Sequence, residues 1–226
     1  MKVVIFGATG MVGNGVLREC LRDPDVELVL TVGRSPAGNQ TPGPQKSKLR
    51  EILHHDLADL STIESQLTGF HACFFTLGVS SAGMSEAAYD RITYDLTLAA
   101  AEPLSRLNPG ITFIYVSGAG TDSTEQGRVM WARIKGKTEN ALLRLPLNAY
   151  MFRPGLIQPL DGIRSKTPAY RILYALLKPF LPLLRRALPN QVLSTRDIGQ
   201  AMLAVAKRGY ARRILETNDI RAAIGA

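Results

Sequence analysis

Three glycines near the start of the chain are the first residues with a chemistry to offer. Gly7, Gly10 and Gly13 fall at positions i, i+3 and i+6. They follow an apolar, β-branched run, Lys2-Val3-Val4-Ile5-Phe6, which suits a buried strand. They precede a stretch in which Val12, Val16, Leu17 and Leu21 line one face of a helix. Strand, glycine turn and helix in that order are the setting of a dinucleotide-binding fingerprint. Gly7 allows the tight turn, Gly10 lets the backbone approach a pyrophosphate, and Gly13 lets the helix pack on the strand. The backbone from Gly7 through Thr9, Gly10, Met11 and Val12 to Gly13 is therefore the candidate phosphate cradle. The free N–H groups and partial positive charge of the helix N-terminus favour an anion there.

A second strand over 27–32 closes in Gly33-Arg34-Ser35. In a dinucleotide fold an acid at this place takes the 2′-hydroxyl of NAD, and an arginine accommodates the 2′-phosphate of NADP. The guanidinium binds phosphate in a two-pronged way, so Arg34, with Ser35 beside it, predicts NADP in preference to NAD. A third strand over 52–56 brings Asp56 and Leu57 to where such folds contact adenine, with Asp59 as the N-cap of a short helix reaching Leu67. A fourth strand, 71–77, ends at Gly78. Ligands bind outside the carboxyl ends of strands in open α/β sheets, which adds Thr76, Leu77 and Gly78 to the cofactor contacts.

The elements that position these residues alternate to the end of the chain. A long helix is expected over 85–107, a strand over 111–116, a helix over 128–145 and a strand over 149–152. A helix starting at Ser194, a short strand over 214–216 and a terminal helical turn follow. Such alternation implies a parallel sheet covered on both faces. The expected fold class is α/β, a Rossmann-type doubly wound parallel sheet with helices on both faces and a small C-terminal lid. The chain reads as one NAD(P)-binding domain, 1–226, in which 156–195 is a lid, substrate or interface segment. Residues 36–48, rich in Pro, Gly and Gln, read as a surface loop.

With 226 residues and 46% apolar side chains the chain can bury a sizeable core. Its net charge of +8 suits an anionic ligand, and no nucleic-acid-binding motif accompanies it. Residues 168–189 are strongly apolar, but Arg171, Lys178, Arg185 and Arg186 interrupt them, which argues against a transmembrane span. A lid, a homodimer or protein-partner surface, and an interfacial membrane helix stay open for this segment. Cys20 and Cys73 sit in apolar patterns and read as buried thiols of a reducing compartment. With His54, His55 and His71 they form no metal-ligand spacing. The chain begins directly with a core strand and not a signal peptide, so a cytoplasmic protein is expected.

Taken together these marks resemble the short-chain dehydrogenase/reductase superfamily over nearly the whole chain. The spacing in Gly7-Ala8-Thr9-Gly10-Met11-Val12-Gly13 is similar to that of its extended and atypical, epimerase- and dehydratase-like branches. Val32-Gly33-Arg34, Thr76-Leu77-Gly78, KGKTEN from Lys135, Phe152-Arg153-Pro154-Gly155 and RRILETNDI from Arg212 resemble the atypical branch that holds the Tat-interacting tumour-suppressor protein. The resemblance implies a serine at the end of the fifth strand and a Tyr-x-x-x-Lys on the next helix. Ser117 matches the serine and Lys135 the lysine that holds the nicotinamide ribose; Pro154 and Gly155 match the segment beside the nicotinamide. The tyrosine position is Trp131, whose indole N–H only donates and cannot exchange a proton. Ser117 and Tyr170 are the remaining hydroxyl candidates for that role. The sequence thus implies an NADP-binding oxidoreductase on an unknown carbonyl-type small molecule; a non-catalytic NADP sensor that docks a partner is the alternative.

Overall fold

The computed structural model describes residues 1–37, 47–163 and 192–225. Seven strands form one sheet, β1 (Lys2–Phe6), β2 (Leu28–Gly33), β3 (Leu49–Leu53), β4 (Ala72–Phe75), β5 (Thr112–Val116), β6 (Asn148–Arg153) and β9 (Ile214–Glu216). Their spatial order is β3-β2-β1-β4-β5-β6-β9, and every pairing is parallel. The order reverses beside β1, between β2 and β4. That switch point is where an open α/β sheet opens a ligand crevice.

Alternation along the strands feeds two separate core layers. Val3 and Ile5 of β1 pack with Val16, Leu17, Ile198 and Met202 of helices α1 (Met11–Arg22) and α5 (Thr195–Arg208). Val4 and Phe6 point the other way, to Leu67, Leu104 and Leu142, the last two from helices α3 (Leu96–Leu107) and α4 (Met130–Arg144). On this second face Phe6, Phe75 and Phe113 stack across β1, β4 and β5 at centroid separations of 5.6 and 5.9 Å. The close crossing of α1 and α5 rests on small residues. A carbon added at Gly15 would lie 2.6 Å from the Thr195 Cβ, and one at Gly199 would lie 2.8 Å from the Glu19 Cγ.

Local chemistry sets the helix starts. Ser194 caps α5 by accepting from the Asp197 N–H, while the Asp197 carboxylate accepts from the Ser194 N–H. Ser85 caps α2 (Glu86–Asp90) by accepting from Ala88. The expected long helix over 85–107 is present, but a π-helical turn, Arg91–Asp95, joins α2 to α3. Helix α4 is pinned to that turn and to α2 by Arg133–Glu86 and Lys137–Asp90 pairs at 2.8 and 2.9 Å, with the Lys137 ammonium also over the Tyr94 ring. The last helix, α6 (Thr217–Gly225), follows β9 directly.

Three expectations shift. The third strand lies at Leu49–Leu53, not 52–56, because it is a sheet edge. Its side chains are exposed or half-buried, so the apolar signal that marks an inner strand is missing from its first residues. Asp56 consequently leaves the strand and caps a turn, accepting from the Ala58 N–H. The short helix begins two residues after Asp59 as a 3₁₀ turn, Ser61–Gln66, and the Asp59 carboxylate accepts from the Ser61 N–H. Inside the expected lid, β7 (Leu156–Gln158) and β8 (Val192–Ser194) pair in parallel as a two-stranded sheet. Residues 164–191 of that segment, including 168–189 and Tyr170, lie outside the described residues. Among the described residues no helix is long and apolar enough to cross a membrane.

Gly136 shows how tightly α4 meets the loop after β5. A carbon added there would sit 1.7 Å from the Asp122 carbonyl oxygen. Gly136→Ala is expected to cost about 1–3 kcal/mol, the range for overpacking a dense contact. Gly33→Ala, with open space around the added carbon, is expected to leave stability unchanged or raised. Urea unfolding of the two variants checks the contrast.

Candidate functional site

The glycine turn is built by close approaches that only hydrogen permits. Gly7 has φ +83°, and a carbon on it would lie 2.5 Å from the Leu77 N. A carbon on Gly13 would lie 2.2 Å from the Gly7 carbonyl oxygen and 2.6 Å from the Thr76 Oγ1. The end of β1, the start of α1 and the end of β4 therefore touch one another at this point. Thr76 ties the knot: its N–H and its hydroxyl both donate to the Phe6 carbonyl, at 3.0 and 2.8 Å. Gly10 is the N-cap of α1; its N–H donates to the Gly7 carbonyl and no side chain caps the helix. The N–H groups of the first turn, at Met11, Val12 and Gly13, thus meet no capping side chain.

A cleft of about 640 Å³ opens beside this turn. Its walls are Gly7, Thr9 and Gly10, then Gly33, Arg34 and Ser35 after β2, then His55, Asp56 and Leu57 after β3, then residues 76–80 after β4. Ile92 and Leu96 from the π turn and α3 complete it. Ten of the sequence-derived cofactor residues thus line one cavity: Gly7, Thr9, Gly10, Arg34, Ser35, Asp56, Leu57, Thr76, Leu77 and Gly78. Arg34 is exposed and makes no hydrogen bond or ion pair with any described residue. His55, Val79, Ser80, Ile92 and Leu96 were not anticipated. The π turn that brings Ile92 to the cleft has no sequence signal of its own.

Ser117, Lys135, Pro154 and Gly155 do not line that cleft. They form a second group at the carboxyl ends of β5 and β6, where the Ala119 N–H donates to the Pro154 carbonyl at 2.9 Å. The Gly155 N–H donates to the Thr217 hydroxyl at 2.9 Å. The Lys135 ammonium donates to the Ser117 carbonyl oxygen. Removal from water pulls the Lys135 pKa from 10.5 down to about 8, against the opposing pull of Glu139. Trp131, one turn earlier on α4, is half-buried and covers Gly120, its ring 3.6 Å from where a carbon on that glycine would stand. Tyr115, on β5, is fully buried, and burial pushes its hydroxyl pKa far up. It does not replace the missing tyrosine as a proton donor and acceptor.

The main residue that sequence reasoning missed is Glu139. It is completely buried. The Ser117 hydroxyl donates to its Oε1 at 2.5 Å and lies 3.2 Å from the Phe152 carbonyl. Arg153 grips the same carboxylate with Nε on Oε1 at 3.0 Å and a terminal nitrogen on Oε2. Arg153 also reaches Ser123 and Glu216, so it joins α4, the loop after β5, and β9. The available signal was a glutamate four residues after Lys135, on the same buried stripe of α4 as Leu142.

No protein-family model matches the chain. Among curated proteins it is similar to protein fmp52, mitochondrial, of Emericella nidulans, with 28% identity over 160 residues, 69% of this chain and 66% of that protein. It is similar to protein FMP52, mitochondrial, of Debaryomyces hansenii, with 26% identity over 161 residues, 70% of this chain and 67% of that protein. The matched stretch thus spans about two thirds of the length of these relatives. Their names overturn the cytoplasmic expectation, since these relatives are mitochondrial proteins.

Solved structures share the fold. A UDP-N-acetylglucosamine 4-epimerase from Methanobrevibacter ruminantium superposes with a TM-score of 0.71 at 16% identity, over 95% of this chain and 75% of that one. A short-chain dehydrogenase/reductase-family oxidoreductase from Burkholderia thailandensis gives 0.70 at 17% identity, over 98% and 92%. The Bordetella bronchiseptica enzyme WbmF, solved with NAD+, gives 0.68 at 16% identity, over 99% and 77%. The chain has the Rossmann-type fold of epimerases and short-chain dehydrogenases.

The lowered pKa of Lys135 has a consequence for stability. Between pH 8 and pH 10.5 the unfolded chain keeps the lysine proton that the folded chain has lost, so this group makes stability rise with pH across that window. Below pH 8 the folded protein carries the full cost of charging a dehydrated amine. Lys135→Met is expected to flatten the rise, measured as the difference in urea midpoints between the two proteins at a series of pH values.

Proposed function

We propose that this chain binds NADP in the cleft beside the glycine turn and belongs functionally with the atypical short-chain dehydrogenase/reductases, as an oxidoreductase on a carbonyl-type substrate. The observation that carries the reading is the joining, in one cavity, of an uncapped helix start and an arginine that has no partner among the described residues. The residues suit the cofactor. At Gly10 an added carbon meets only the Gly7 carbonyl, at 3.2 Å, which leaves the turn open to a pyrophosphate. Arg34 has a guanidinium to spend on the 2′-phosphate, and Ser35 adds a hydroxyl. Asp56 and Leu57, with His55, wall the adenine end, while Thr76, Leu77 and Gly78 run toward the nicotinamide end. Lys135 holds the ribose and Pro154 and Gly155 border the ring. The whole chain, 1–226, works as one NAD(P)-binding unit in this reading.

Bound NADP supplies hydride exchange. The chain's own part is to hold the nucleotide, orient the substrate at Ser117 and account for the proton. Trp131 does not move a proton, so the proton comes from another hydroxyl, with Ser117 and Tyr170 the candidates, from water or from the substrate's own groups. A second reading, an NADP-binding sensor without turnover, is favoured by the same two facts: Trp131 replaces the tyrosine, and the Ser117 hydroxyl is committed to the buried Glu139.

Trp131 is the only tryptophan and reports on the site. Its fluorescence is expected to quench saturably, at much lower concentration with NADPH than with NADH. Arg34→Ala is expected to weaken NADPH by roughly 10–100-fold, the loss of about 1.5–3 kcal/mol from a charge-assisted contact, and to leave NADH nearly unchanged. Equal losses for both nucleotides would remove Arg34 from the 2′-phosphate.

A further inference from the structure

We propose that Glu139 is a positioning residue for Lys135: gripped by Arg153 and anchored to the Ser117 hydroxyl, it holds a negative charge one helical turn from the lysine and keeps the ammonium charged. Its use to a cofactor ribose rests on the function proposed above. The charge assignment stands on the Ser117 bridge to both groups and on their four-residue spacing along α4.

A carboxylate with no exposed surface is costly unless it is paired and hydrogen-bonded. Glu139 has both, in the Arg153 fork and the Ser117 hydroxyl. Structural support alone would be served by the arginine contact. The placement does more. Ser117 binds Glu139 through its hydroxyl and Lys135 through its carbonyl, so one residue fixes both charged groups relative to each other. Residues four apart on a helix face the same way, and among the described residues the Lys135 ammonium bonds the Ser117 carbonyl and no charged group. Among the described residues the charges that face this pair are Arg153 on β6, with Glu216 on β9 behind it, and the neutral, buried hydroxyl of Tyr115 on β5 lies beside them. Arg153 neutralises part of the Glu139 charge, while burial works against the ammonium and Glu139 works for it.

The test is a direct titration of Lys135 by NMR in protein carrying ¹³C-labelled lysine, its signal identified by disappearance in Lys135→Met. The parent protein is expected to titrate near 8. In Glu139→Gln the midpoint is expected to fall by about one unit or more, the usual effect of losing an opposite charge at close range. A structural role alone would change stability and leave that midpoint where it was, and an unmoved midpoint overturns the proposal. Removing one partner of a buried pair can unfold the protein. The double variant Glu139→Gln/Arg153→Met removes both partners and is expected to show a downward shift smaller than that of Glu139→Gln, because the opposing Arg153 charge is lost with it. NADPH added to each sample separates the two readings: a shifted midpoint with no NADPH binding in the parent protein would reject the cofactor site and uphold the role of Glu139.

Discussion

Everything at the cleft end of the sheet depends on one steric constraint, the contact of β1, α1 and β4 through the hydrogens of Gly7 and Gly13. An added carbon at either glycine would fall within 2.5 Å of backbone from the adjoining element. The two glycines therefore do two jobs. They let the chain reverse at the tip of β1, and they bring the start of α1 down onto the sheet where Thr76 ends β4. The uncapped helix start and the cleft beside it follow from that packing. The aromatic stack of Phe6, Phe75 and Phe113 beneath holds the same three strand ends in register.

The other half of the strand ends is organised by charge. Arg153 and Glu139 form a buried pair that collects β5 through Ser117, the following loop through Ser123 and β9 through Glu216. Lys135 is bound into the same group through the Ser117 carbonyl. The strand ends thus have a backbone-built half beside the glycine turn and an ionic half gathered around Glu139. The second half is where this chain departs from the pattern its sequence resembles. The hydroxyl expected on α4 is an indole, and the serine hydroxyl points to a carboxylate inside the protein.

Much of this was legible from residue order. The inner strands β1, β4 and β5 are continuous apolar runs, and each was found within a residue or two of its place. Glycine spacing placed the turn, and strand-end reasoning gathered ten residues that do share one cavity. The misses have physical causes. β3 is an exposed edge whose charged residues carry no strand signal. The π turn at Arg91–Asp95 changes the phase of a helix without changing its composition. Glu139 needed knowledge of which face α4 buries, because a glutamate in a charged stretch reads as solvent-exposed until the helix is docked. Compartment was misread because a strand at the chain start and two buried thiols say nothing about organelle; the mitochondrial relatives corrected it.

The central claim is that a dinucleotide lies along the cleft from the glycine turn to Arg34 and past the end of β4. Hydrogen exchange with and without saturating NADPH tests it most directly, because it reads backbone protection peptide by peptide. Slowed exchange in peptides covering 7–13, 33–35 and 76–80, with 192–225 unchanged, is the expected pattern. NADPH that leaves those three segments exchanging at their original rates would contradict it.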